Sequence, residues 1–168
     1  MKIRKATQRD APHIATVHVD SWRTTYKGIL PCEFLKKLSY EQRTKLWESN
    51  VTEENVYVVE NEDEEIVGFA TGGKKKTENY DQFHGELYAI YILEEYQGKG
   101  IGKMLMQPVI KELEQFGINS IIVLVLEDNP SKYFYEALGA REIDSLEITI
   151  AGVELNELVY GWDDLSEF

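Results

Sequence analysis

The sequence predicts an α/β fold, a mixed and mostly antiparallel central sheet flanked by helices, and three observations carry that prediction. In the first fifty residues apolar side chains recur at helical spacing, as in Ile14, Val17, His18 and Trp22. From Val56 to Leu93 the period shortens to that of strands. Ser120 to Leu126 is then a nearly continuous apolar run, the signature of a central strand covered on both faces.

Taken in order, Lys2 to Ala6 alternate charged and apolar residues and fit a first strand. Thr7 to Asp10 offer helix caps, Pro12 suits a first turn, and Gly28 stops a helix that runs to about Tyr26. Pro31 opens a second helix with Phe34, Leu35 and Leu38 as its buried stripe, and a short third piece holds Leu46 and Trp47. Val56 to Val59 and Ile66 to Thr71 form a hairpin around the acidic turn Asn61 to Glu65. Gly72 to Asn79 reads as a basic, polar connection, and Leu87 to Leu93 as a strong strand. Gly100 to Phe116 is amphipathic and helical, with Pro108 expected to kink it. Asn129 to Leu138 is a further helix before Gly139, and strands near Glu142 to Ile150 and Glu154 to Gly161 close the sheet. So few crossover helices exclude a doubly wound sheet.

The length of 168 residues suits a single domain over residues 1–168. Eighteen basic against thirty acidic side chains give a net charge of −12, which disfavours nucleic acid and anionic membrane as partners. The charge is uneven. Residues 1–50 carry 10 basic and 5 acidic side chains, whereas residues 127–168 carry 2 and 11. A negative second half favours a cationic ligand, although acids that only maintain solubility give the same count. Cys32 is the lone cysteine, and the three histidines show no metal-ligand spacing, so no metal is expected. The N-terminus lacks a secretory apolar core and no run approaches membrane-spanning length, which together predict a cytoplasmic protein.

The sharpest local feature is Gln97-Gly98-Lys99-Gly100-Ile101-Gly102-Lys103, set between a strand and a helix. Glycines there let backbone N–H groups converge on an anion, and the helix N-terminus adds unpaired donors and a favourable dipole. Lys99 and Lys103 contribute positive charge. A phosphate or pyrophosphate site follows, with a merely tight turn as the bland alternative. The nucleoside-triphosphatase loop fails because Gln97 takes its first glycine and Met104 its hydroxyl position. The dinucleotide fingerprint fails because Lys103 occupies its third glycine.

Gln97, Gly100 and Gly102 match the Gln/Arg-x-x-Gly-x-Gly/Ala signature, and Asn129, Phe134, Tyr135, Glu136 and Gly139 match a second one. In these two motifs, separated by a helix and a strand, the chain resembles the GCN5-related N-acetyltransferase superfamily. It departs at Glu94, where the family commonly has proline, and at Ala140, where it commonly has phenylalanine. The resemblance implies acetyl-CoA as cosubstrate. It implies backbone contacts from Ile90, Tyr91 and Ile92 to a pantetheine arm lying in a splay between two strands. Gln97 to Lys103 would hold the pyrophosphate and Asn129 would bond the pantetheine, in addition to or instead of capping its helix. The implied activity is transfer of acetyl to a primary amine by direct attack in a ternary complex. The acceptor is a small cationic amine such as a polyamine, a peptide N-terminus or a protein lysine, and the alternative is a non-catalytic acyl-CoA sensor. Homodimerisation through the final strands is common among proteins of this resemblance.

An alkyl ammonium must lose a proton before it attacks, and the departing thiolate can take one. Tyr135 matches the family's general acid, against the alternative of a core aromatic. Glu86 is the candidate base, with Tyr88 sharing its strand face by alternation, and His84 is a second candidate. A surface carboxylate is the plain alternative for Glu86. Trp22 and Tyr26 are candidate aromatic walls for the acceptor, Trp47 reads as core, and Asp144, Glu147 and Glu154 could attract a basic substrate. Cys32 has no base near it in sequence and reads as a bystander.

Overall fold

A computed structural model describes residues 1–168. Seven strands form one sheet in the order β1-β2-β3-β4-β5-β7-β6. They are β1 (Lys2–Lys5), β2 (Val56–Glu60), β3 (Ile66–Lys74), β4 (Gly85–Ile92), β5 (Ile121–Leu126), β6 (Arg141–Ile150) and β7 (Val153–Trp162). Every pairing is antiparallel except β4 with β5. On one face lie α1 (Ala11–Thr25), α2 (Cys32–Lys36) and α3 (Tyr40–Glu53); on the other lie α4 (Ile101–Gln115) and α5 (Ser131–Ala137). No helix is long and apolar enough to cross a membrane.

The two faces hold separate cores. Leu105, Met106, Val109 and Leu113 of α4 pack on Ile121, Val123, Leu158 and Tyr160, each such side chain contributing about 1.5–3 kcal/mol through burial. Across the sheet, Ile14, Ala15 and Val17 of α1 meet Trp47, Val58 and Phe69. Arg4 ties the sheet edge to the start of α1: its guanidinium donates to both Asp10 oxygens at 2.7 and 2.9 Å and to Glu60 at 2.7 Å. That contact holds the Asp10 carboxyl down to about 2, and Asp10 in turn accepts from Thr7 N at 2.7 Å.

Three elements differ from the sequence reading. α3 is fourteen residues rather than a short piece, although Trp47 is its one buried residue. Ser39 Oγ caps it by accepting from Gln42 N at 3.1 Å, and Trp47 Nε1 anchors it by donating to His18 Nδ1 at 3.1 Å. β3 continues to Lys74, through glycines that resemble a loop. Gly72 sits in a strand because a Cβ there would lie 2.8 Å from both Glu86 O and Val109 Cγ1. β4 likewise begins at Gly85, where a Cβ would meet Ser120 O at 2.9 Å. Pro108 lies inside α4, which runs unbroken past it.

Candidate active site

The site arises from a parting of strands. β4 and β5 pair only at Gly85 with Ile121 and Glu86 with Ile122; beyond these, β4 stays with β3 and β5 with β7. The splay expected between these strands is therefore present, and the close approach at Gly85 is its apex. A bulge on β4 accompanies it: Thr71 faces Ala89 and Gly72 faces Leu87, leaving Tyr88 unpaired. The extra residue breaks the alternation. Leu87, Ile90 and Ile92 all face the α4 core, while Ala89 and Tyr91 face α1. Ile90 is thus not on a shared face with Glu86, as simple alternation required.

The cleft contains two joined cavities, an inner one of about 200 Å³ and an outer one of about 410 Å³. Ile90, Ile92, Gln97, Asn129 and Tyr135 line both. Gln97 is held in place by donating from Nε2 to Ile92 O at 3.0 Å. Asn129 is buried; its Oδ1 accepts from Ser131 N at 2.9 Å and its Nδ2 donates to the Tyr26 hydroxyl at 3.4 Å. It therefore does cap the turn into α5, while its amide faces the cleft.

At the outer mouth the loop Gly98–Gly100 turns the chain into α4. Gly98 and Gly100 have φ of 72° and 79°, a region that side chains disfavour. Gly102 has another reason to be glycine, since a Cβ would meet the Phe134 ring at 2.7 Å. None of the backbone N–H groups from Gly98 through Lys103 has a protein acceptor. Consecutive unpaired donors at the start of a fifteen-residue helix form an anion cradle. The Ile101 side chain is buried in the α4 core, whereas Lys99 and Lys103 are exposed beside the loop.

At the inner end, Trp22 of α1 and Tyr26, which caps that helix, line the slot, edge to face at 4.7 Å between ring centroids. Tyr135 is buried, and its hydroxyl has no protein hydrogen-bond partner. Burial pushes this phenol well above its ordinary value, so it holds its proton at neutral pH. The Tyr91 ring stacks on His18 at 5.4 Å and lies beside Trp22 and Tyr26 at the inner cavity. Tyr88 also lines the slot; it leans over Gly73, donates to Lys74 O, and is pushed up to about 12 by burial with Glu54 and Glu86 nearby.

Glu86 has another task. It is buried, does not line the slot, and its Oε1 accepts from Thr77 N at 2.9 Å and Lys76 N at 3.3 Å. It fastens the β3–β4 connection from the apex, where β4 and β5 are still paired. His84 is likewise outside the slot, on an exposed connection. Glu147 and Glu154 pair with Asn156 and Thr149, on the sheet face of Leu158 and away from α1, so they do not surround the slot. Asp144 is bound by the Tyr80 hydroxyl at 2.7 Å. Trp47 is core, as read, and Cys32 is exposed on α2.

Sequence reasoning missed Glu157, the one carboxylate that lines the inner cavity. A signal was available. Along β7 its face otherwise reads Val153, Leu155 and Val159, and a charge interrupting an apolar stripe is unexpected in a buried strand.

Comparison with known proteins agrees with this geometry. The acetyltransferase (GNAT) family profile matches residues 18–140. A Bacillus subtilis (strain 168) protein named uncharacterized N-acetyltransferase YuaI is 42% identical over 164 residues, covering 98% of this chain and 94% of that one. The [ribosomal protein bS18]-alanine N-acetyltransferase of Haemophilus influenzae is 30% identical over 122 residues, covering 67% of this chain and 78% of that one. The paia N-acetyltransferase of Thermoplasma acidophilum, solved in complex with coenzyme A, shares the fold at a TM-score of 0.73 and 22% identity, covering 93% and 96%. With its split sheet, its glycine-framed donors and these relatives, the chain belongs to the GNAT family of acetyl-CoA-dependent N-acetyltransferases.

Proposed function

We propose that this chain transfers the acetyl group of acetyl-CoA to a primary amine by direct attack in a ternary complex. The observation that carries the reading is the run of unpaired N–H groups from Gly98 to Lys103 at the mouth of the β4–β5 split. A pyrophosphate satisfies those donors, with Lys99 and Lys103 adding charge. Ile90, Tyr91 and Ile92 lack a strand partner on their cleft side and offer their backbone groups to an extended amide arm. Gln97 and Asn129 border the same path.

Acetyl-CoA supplies the acetyl group as an activated thioester. Tyr135, buried and protonated, gives its proton to the departing sulfur. The walls of Trp22, Tyr26 and Tyr88 enclose the acceptor and keep water from the thioester. The net charge of −12 supports a small cationic amine, a polyamine among them. The resemblance to a ribosomal-protein-alanine N-acetyltransferase supports a chain N-terminus as the second acceptor class. The lone cysteine, with no disulfide partner in the chain, supports a cytoplasmic location, and the final strands are the proposed surface for homodimerisation.

The test is calorimetric titration with acetyl-CoA and free CoA, followed by thiol release with spermidine and an alanyl peptide as acceptors. Stoichiometric micromolar binding, about −8 kcal/mol, and thiol release with one of the acceptors are expected. Folded protein that binds neither coenzyme form overturns the reading.

A further inference from the structure

We infer that Glu157 is the carboxylate that receives the acceptor's ammonium group and removes its first proton. The inference rests on the acetyl-transfer reading above and supplies the group that Glu86 does not. Glu157 lines the inner cavity, where every other lining residue is apolar or uncharged. In the β7 register it stands between Leu126 of β5 and Leu146 of β6, on the sheet face that carries α1 and α2. It has no ion pair or hydrogen bond, and burial alone raises its pKa above the ordinary glutamate value. The titratable groups within reach of its charge are phenols, Tyr26 just after α1 and Tyr80 of the β3–β4 connection; Asp144, two positions along the neighbouring strand from Leu146, is held by Tyr80. No cation is available there to satisfy it. An unpaired carboxylate half-buried among apolar and aromatic walls is stable when a ligand brings the positive charge.

Its place also defines the approach of the acceptor. The anion cradle opens beside α4, whereas Glu157, Tyr26 and Ile150 lie on the opposite sheet face, the one that carries α1 and α2. One slot carboxylate matches one ammonium, because Glu147 and Glu154 lie on the other sheet face. The steps balance as follows. An ammonium N–H bond breaks and the proton passes to Glu157. The freed lone pair bonds to the acetyl carbon as the C–S bond breaks, and sulfur takes the Tyr135 proton. The second nitrogen proton restores Tyr135 through solvent, and Glu157 releases its own proton to water.

The experiment compares wild type, Glu157→Gln and Glu154→Gln, the last removing the same charge from the opposite face. CoA affinity is measured by calorimetry, and kcat/KM is measured from pH 6 to 9 with spermidine and with an alanyl peptide. Glu157→Gln is expected to bind CoA within about twofold of wild type and to lose about 100-fold in kcat/KM at pH 7. That loss should shrink toward pH 9 as more of the amine is already neutral, while Glu154→Gln tracks wild type throughout. Equal rates and equal pH profiles for wild type and Glu157→Gln, with CoA binding intact, overturn the inference; so does an equal loss in Glu154→Gln. Wild type that fails to bind CoA overturns the coenzyme reading instead.

Discussion

The two ends of the cleft are built from different materials. The outer end is made of backbone: a contiguous loop, positive φ at Gly98 and Gly100, and N–H groups left unpaired by the start of α4. The inner end is made of side chains from distant parts of the chain, with Trp22 from α1, Tyr26 from its C-cap, Tyr88 from a bulge, Tyr135 from α5 and Glu157 from β7. A backbone site tolerates any side chain that leaves its φ and its clearances intact. A side-chain site changes identity with one substitution. A common coenzyme and a variable acceptor would therefore be expected to meet at such a junction.

Substitutions separate the two ends. The largest effect is expected for Tyr135→Phe, which should lower kcat by about 10²–10⁴-fold and leave CoA affinity within about twofold in calorimetry. Equal losses of both would mean that Tyr135 holds the coenzyme instead of the departing sulfur.

Next is the support beneath the inner end. His18 is buried under Tyr91 and accepts from Trp47, and burial depresses it from 6.5 to about 4. The unfolded chain therefore binds this proton first. Stability should be full above pH 6.5 and fall as pH drops toward 4, by up to about 3 kcal/mol. Asp10 adds a further loss below 3.8, since Arg4 holds it near 2 in the fold. Urea titrations at pH 7, 5.5 and 4.5 measure the slope, and His18→Gln should flatten it above pH 4.

At the outer end, Gly102→Val should push Phe134 out of place, weakening CoA binding at least about tenfold and lowering Tm by several degrees. Wild-type affinity in that variant would show that the α4–α5 contact does not shape the cradle. The smallest effect is expected for Lys103→Ala, about two- to threefold in CoA affinity and disappearing at high salt, because an exposed cation is screened. A larger, salt-insensitive loss would move the affinity from the backbone to this side chain.

What could be read in advance follows the same division. The succession of strands and helices along the chain and the glycine turn into α4 were legible, because glycine spacing and apolar periodicity are local records of backbone geometry. The extent of β3 was not. Gly72 and Gly73 resemble a loop in sequence, and only the proximity of Val109 and Tyr88 shows why they are glycines in a strand. α3 was underestimated because its anchors are long-range contacts to α1, from Trp47 to His18, twenty-nine positions apart, and from Tyr40 to Asp20 and Arg23.

The fold class and the glycine turn ahead of α4 are written in the sequence, because apolar periodicity and glycine spacing are local features. Only the tertiary structure decided which carboxylate faces the slot. Alternation pointed to Glu86, but the bulge at Tyr88 broke the alternation and Glu86 sits at the apex, where β4 and β5 are still paired. Glu157 reached the cleft through the pairing of β7 with β5, a contact between residues some thirty positions apart. Such a pairing depends on how the sheet assembles around its core; the sequence shows a charge within an apolar stripe but not the cleft that the charge faces.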